Sequence, residues 1–89
     1  MQITYDPAKN ATNIEQRGLG FEQVASFDFS TAMIVEDQRH AYSEPRFQAL
    51  GLLGQRLHML VFTPVAGGIR VISFRKANRR EVRRYERER

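Results

Sequence analysis

The sequence has 89 residues, a formal net charge of +4, 42% hydrophobic residues and no cysteine. This length fits one domain, over residues 1–89, and the apolar content is that of a folded protein. The absence of cysteine excludes a disulfide framework and a thiolate metal site, and the longest apolar run is too short to span a membrane. The first residues lack the regions of a signal peptide, so we expect a cytoplasmic protein.

The N-terminal third predicts a brief strand followed by two helices. The stretch "MQITY" has the pattern of a short edge strand. Asp6 and Pro7 are typical of a helix start and Gly18 of a helix end, which predicts a helix over about residues 7–17. A second, short helix is predicted for "FEQVASF".

From Thr31 onward the pattern changes to short β-favouring runs, which are "AMIVED", "RFQALGLL", "RLHMLVFT" and "IRVISFRK". The loops between them are short, so neighbouring strands should pair antiparallel. A last helix is predicted over about residues 78–88. We therefore expect an α+β fold in which two N-terminal helices and a C-terminal helix pack on an antiparallel sheet of about four strands.

Positive charge is concentrated at the end of the chain. From Arg70 to Arg89 there are nine basic residues and three glutamates. On the predicted last helix Val82 and Tyr85 share a narrow apolar stripe, and the basic residues on the opposite side are Arg79, Arg80, Arg83, Arg84 and Arg87. This asymmetry indicates a nucleic acid, an anionic surface or an acidic protein as partner. The alternative is a solvated helix with ordinary surface ion pairs.

The basic residues of the last strand favour a phosphate site. Arg70 lies within the strand, and Arg75 and Lys76 lie where it leads into the helix. Cations held rigidly near one phosphate would stabilise the charge that develops during phosphoryl transfer. We assign phosphate binding and neutralisation to Arg70, Arg75, Lys76 and Arg79, and further RNA contacts to Arg46, Arg80 and Arg83.

Few residues are candidates for proton transfer. If the bound phosphate belongs to RNA, the neighbouring 2′-hydroxyl can act as the nucleophile, so we expect neither a metal nor a cofactor. Cleavage then needs a base for that hydroxyl and a proton donor for the leaving oxygen. The candidates are Glu44, His58 and Tyr85. Each has a structural alternative: Glu44 could pair with Arg46, and His58 and Tyr85 could pack in the core.

The order and spacing of several segments resemble the BrnT family of bacterial toxins over nearly the whole chain. The matching segments are "DPAKNATNIEQRGLGFEQVASF" (6–27), "VEDQRHAYSEPRFQALGLL" (35–53), "RLHMLVFT" (56–63) and "IRVISFRKANRREVRRYE" (69–86). One departure is Gln16-Arg17-Gly18, where the family usually has lysine-histidine-glycine.

The resemblance implies a RelE-like fold and a ribonuclease toxin that arrests translation and growth. It also implies a BrnA-like antitoxin that neutralises the toxin, with operator DNA bound only through the complex of the two. Toxins of similar fold that poison DNA gyrase leave a protein target open as an alternative, and a co-repressor that binds nucleic acid without catalysis is another.

Overall fold

The computed structural model describes residues 1–88, so Arg89, which the sequence counts in its basic segment, lies outside the described residues. The strands are β1 (Gln2–Tyr5), β2 (Met33–Glu36), β3 (Phe47–Leu53), β4 (Arg56–Val65) and β5 (Gly68–Lys76). The helices are α1 (Pro7–Arg17), a 3₁₀ helix (Phe21–Ser26) and α2 (Arg79–Glu88). The α+β class is confirmed.

The sheet has five strands in the order β1-β5-β4-β3-β2, so the prediction of about four antiparallel strands was wrong in two respects. The brief edge strand predicted at the N-terminus forms as β1, but it joins the same sheet as a fifth strand. It pairs with β5 in parallel, whereas the other three pairs are antiparallel. Short loops predict antiparallel neighbours, but β1 and β5 are separated by most of the chain. Gly68 allows their contact, because a Cβ there would collide with the backbone of Gln2.

Local signals in the sequence set the bounds of α1. The Asp6 side chain accepts a hydrogen bond from the Ala8 N–H at 2.9 Å, and Pro7 is the first helical residue. Gly18 ends the helix in the left-handed conformation, with φ of 65°. The second predicted helix forms as a 3₁₀ helix.

Helices cover both faces of the sheet. On one face, α1 and the 3₁₀ helix cover a core that includes Phe21, Val24, Leu60 and Phe74. On the other face, α2 covers a second core through Tyr85 and the partly buried Val82. The apolar stripe predicted for the last helix therefore faces the sheet, and the basic residues of α2 lie beside or outside it.

A β-bulge in β5 decides which face its last residues occupy. The register with β4 shifts between Val61 and Phe62, which leaves Ile72 as an extra residue in β5. After the bulge, Phe74 enters the core beneath α1 and the 3₁₀ helix, while Arg75 lies on the α2 face. In a regular strand the two side chains would exchange faces.

Candidate nucleic-acid interface

A groove of about 550 Å³ lies between α2, the end of β5 and the loop that follows β2. Six arginines and a single glutamate contribute to its lining, which consists of Arg39, Gln48, Arg75, Asn78, Arg80, Glu81, Arg83, Arg84 and Arg87. We call this surface the arginine groove. So many cations around one concavity repel each other, and a bound polyanion would relieve that repulsion.

The junction between β5 and α2 holds Arg75 in place. Arg75 Nη1 and Nη2 donate to the two carboxylate oxygens of Glu81 at 2.8 and 2.9 Å. Glu81 also accepts from the Asn78 N–H at 2.9 Å, and its own N–H donates to Asn78 Oδ1 at 2.8 Å. This reciprocal pair is a capping box at the start of α2.

The same ion pair shifts both pKa values. The hydrogen bonds from Arg75 lower the pKa of the Glu81 carboxyl, and the carboxylate in turn raises the pKa of Arg75. Both groups are therefore charged at neutral pH.

The helix supplies four further cations at the spacing of one helical face. Arg80, Arg83, Arg84 and Arg87 follow the i, i+3, i+4, i+7 pattern. Arg84 is half-buried, and its Nε has no hydrogen-bond partner among the described residues. A buried N–H without an acceptor is costly, so Arg84 Nε is destabilising in this arrangement, and only the rest of its guanidinium is open to a ligand.

Three of the predicted site residues, Arg75, Arg80 and Arg83, line the arginine groove. Arg79 does not. It lines a separate groove of about 530 Å³ on the other side of α2, beside Leu52, Val82 and Tyr85. Lys76 is exposed and lies opposite His58 in the pairing of β4 with β5. Neighbouring residues of a strand point to opposite faces, and Arg75 faces α2, so Lys76 faces away from α2.

Arg70 and Glu44 form an ion pair away from the arginine groove. Arg70 lies five positions before Arg75 on β5, a separation of roughly 15 Å in a strand. The structural alternative for Glu44 was an ion pair with Arg46, but Glu44 pairs with Arg70. Arg46 instead places its guanidinium 4.3 Å from the centre of the Tyr42 ring, and its buried Nε has no partner among residues 1–88.

The other two candidates for proton transfer are core residues. His58 is 3% exposed, its Nδ1 lies 2.9 Å from the Arg56 carbonyl oxygen, and its ring is beside Phe74. Burial lowers the pKa of His58, so the ring is neutral at pH 7. Tyr85 is also buried, and its hydroxyl donates to the Thr31 carbonyl oxygen at 2.9 Å.

Two residues that line the arginine groove were not indicated by the sequence. Arg39 comes from the loop after β2, and Gln48 from β3. Arg84 and Arg87 were recognised as part of a basic helix face but were not assigned to the site. The one local signal for Arg39 is its spacing from Asp37, because an acidic residue two positions earlier can fix an arginine side chain.

The described residues contain neither a cluster of metal ligands nor a helix that could span a membrane. Within residues 1–88, no group of three or more histidine, aspartate and glutamate side chains is placed to hold a metal ion. None of the helices in that part of the chain is long and apolar enough to cross a membrane.

The fold and the groove define a small basic α+β protein with a surface suited to phosphate groups. Comparison with known families agrees. The family model of BrnT, described as the ribonuclease toxin of a type II toxin-antitoxin system, matches residues 5–81. The chain therefore belongs to the BrnT family of ribonuclease toxins. A comparison with curated proteins returned no match.

Proposed function

We propose that this toxin is an endoribonuclease that cuts RNA without a metal ion and uses the arginine groove to hold the scissile phosphate. The observation that carries the proposal is the meeting of six arginines from a loop, a strand end and a helix around one concavity. Guanidinium groups bind two phosphate oxygens at once, which suits a phosphodiester better than isolated surface charges would.

In the proposed reaction the 2′-oxygen of a ribose forms a bond to the adjacent phosphorus, and the bond from phosphorus to the 5′-oxygen breaks. The proton of the 2′-hydroxyl is removed by a base, and the leaving 5′-oxygen receives a proton. The products carry a 2′,3′-cyclic phosphate and a 5′-hydroxyl. Arginines fixed in advance stabilise the additional negative charge of the transition state.

The groove arginines take different parts in this proposal. In this proposal Arg75, which Glu81 holds, and Arg84 contact the reacting phosphate. Arg80, Arg83 and Arg87 contact neighbouring phosphates of the strand. Proton transfer by Glu44, His58 or Tyr85 stays a prediction, and none of the three lines the arginine groove.

The antitoxin, the operator DNA and the location of the toxin in the cell are also part of the proposal. A BrnA-like antitoxin would neutralise the toxin, operator DNA would be bound through their complex, and both would act in the cytoplasm. A relationship to RelE-like toxins is consistent with helices packed on a mainly antiparallel sheet.

Arg83 and Arg79 provide a matched test, since both are exposed arginines of α2 but only Arg83 lines the arginine groove. The assay measures cleavage of single-stranded RNA by each purified variant in excess chelator, with the chemistry of the new ends. We expect Arg83→Gln to lower kcat/KM by about tenfold, the loss of one charge-assisted hydrogen bond. Arg79→Gln should stay within about twofold of the unmodified protein.

Two outcomes would contradict the proposal. If Arg79→Gln lost as much activity as Arg83→Gln, the sequence-based assignment of Arg79 would be right and the groove would not define the site. If chelation abolished cleavage, or the new ends lacked a cyclic or 3′-phosphate, the metal-independent reaction would be excluded.

A further inference from the structure

The loop between β2 and β3 contributes one arginine to the groove, and nothing in the sequence assigned that residue a role. Arg39 lines the arginine groove together with Arg75. The two guanidinium groups are close enough for the Arg39 charge to oppose the effect of Glu81, the main cause of the raised pKa of Arg75. Arg39 therefore faces the same space as the cations of β5 and α2.

A buried carboxylate fixes this arginine. The Asp37 side chain is 1% exposed, whereas that of Arg39 is 65% exposed. Asp37 Oδ1 accepts from Arg39 Nε at 2.8 Å and from the Arg39 backbone N–H at 3.2 Å, and Oδ2 accepts from Nη2 at 2.8 Å. The Tyr42 hydroxyl donates to Oδ2 at 3.3 Å, and the Asp37 N–H donates to the Arg46 carbonyl oxygen at 2.7 Å.

The geometry leaves the other edge of the guanidinium available. An arginine has five N–H donors, of which the bidentate contact with Asp37 uses one on Nε and one on Nη2. The three others, two on Nη1 and one on Nη2, have no acceptor among the described residues. Two of them form a fork that matches two oxygens of a phosphate.

The ion pair also keeps Arg39 ordered and charged. The hydrogen bond from Arg39 is the largest cause of a strongly lowered pKa at Asp37, and the same contact raises the pKa of Arg39. A long exposed side chain normally loses rotamer freedom when it binds a ligand, and that loss weakens binding. Here the loop has already restricted the side chain before any ligand arrives.

We propose that Arg39 is an RNA-phosphate-binding residue of the arginine groove and that Asp37 is its positioning residue. The inference rests on the proposed function and extends it, since it adds the loop after β2 to the RNA-binding surface. Tyr42 supports the same arrangement through its contact with Asp37.

The test uses the full chain in two assays. Cleavage of single-stranded RNA gives kcat and KM. Equilibrium binding to an RNA of the same sequence with 2′-methoxy groups, which lacks the nucleophile, is measured over a range of salt concentrations. The variants are Arg39→Gln, Arg39→Lys, Asp37→Asn and Tyr42→Phe. Arg56→Gln is the charge-matched control, because Arg56 is exposed and lies outside the arginine groove.

We expect Arg39→Gln to raise KM by about tenfold with little change in kcat, and to reduce the salt slope of binding by about 0.7, the value for one phosphate contact with a single strand. Arg39→Lys should restore the slope but not the KM, because an ammonium group lacks the fork. Asp37→Asn should raise KM although Arg39 is present, and Tyr42→Phe should act in the same direction with a smaller effect.

The inference is overturned if Arg39→Gln matches Arg56→Gln in both KM and salt slope. It is also overturned if Arg39→Gln lowers stability but, once folded, binds RNA with the original slope, because the ion pair would then only stabilise the loop. If Asp37→Asn does not fold, the two Arg39 variants and Tyr42→Phe still decide the matter. Failure of the proposed function is distinguishable, since the unmodified protein would then neither bind nor cleave RNA.

Discussion

The two histidines show how strongly the surroundings of a single residue control its chemistry. His40 is exposed in the loop after β2, whereas His58 lies in the core beside Phe74. Burial disfavours the charged form of His58 and is the main cause of its lowered pKa. The hydrogen bond that the Arg56 carbonyl oxygen accepts raises the pKa, whereas the positive charges of Arg56 and Lys76 lower it further. We therefore interpret His58 as a neutral packing residue.

A pH dependence of stability follows for His58. Its pKa in the folded state lies below the ordinary value of 6.5, so below pH 6.5 the unfolded chain binds more protons than the folded chain. The free energy of unfolding should fall as pH drops from 7 towards 5, by at most about 1.4 kcal/mol per pH unit. Urea unfolding at several pH values measures this, and His58→Phe should remove most of the slope. His40→Gln is the control and should keep it. An unchanged slope in His58→Phe would contradict the burial argument.

At the scale of elements, the junction between β5 and α2 has a structural task as well as a place in the site. The capping box of Asn78 and Glu81 satisfies backbone N–H groups at the start of α2, and the same carboxylate holds Arg75. A change in the cap should therefore affect both the helix and the strand end beside it.

We expect Asn78→Ala to lower the free energy of unfolding by about 1 kcal/mol, because the Glu81 N–H loses its side-chain acceptor. Asn78→Asp retains an acceptor at that position and should stay close to the unmodified protein. Denaturant unfolding followed by circular dichroism compares the three proteins. Equal losses in both variants would show that the cap is not the source of the effect.

At the scale of the whole molecule, positive charge is concentrated along one groove of the surface. The arginine groove collects six arginines on the α2 side of the sheet. A type II toxin has an antitoxin as partner, and an acidic antitoxin segment would meet this surface with complementary charge. Attraction of this kind speeds association and weakens as salt screens it.

Association with the antitoxin should therefore slow as ionic strength rises, by about tenfold or more between low and high salt. The double variant Arg83→Gln/Arg87→Gln should show a smaller dependence, because both side chains line the groove. Lys9→Gln/Arg17→Gln removes the same charge from α1 and serves as the control. Stopped-flow measurement of the association rate distinguishes the two. Identical salt dependence in both double variants would mean that the antitoxin does not dock through the groove.

Local patterns in the sequence were sufficient to predict the ends and the buried faces of elements that depend on residues close together in the chain. Asp6, Pro7 and Gly18 defined α1, and the stripe of Val82 and Tyr85 identified the buried side of α2. Backbone preferences and side-chain periodicity act over a few residues, which is why these features can be read directly. The single-domain extent over residues 1–89 stays a prediction.

Tertiary structure alone decided which cations meet. The bulge at Ile72 depends on pairing with β4, and it moves Arg75 to the face of α2. The burial of Asp37 depends on how the loop folds against β3, and it directs Arg39 into the same groove. Pairing between distant segments sets both features, so a charge pattern along the chain could reveal the arginines but not their common site.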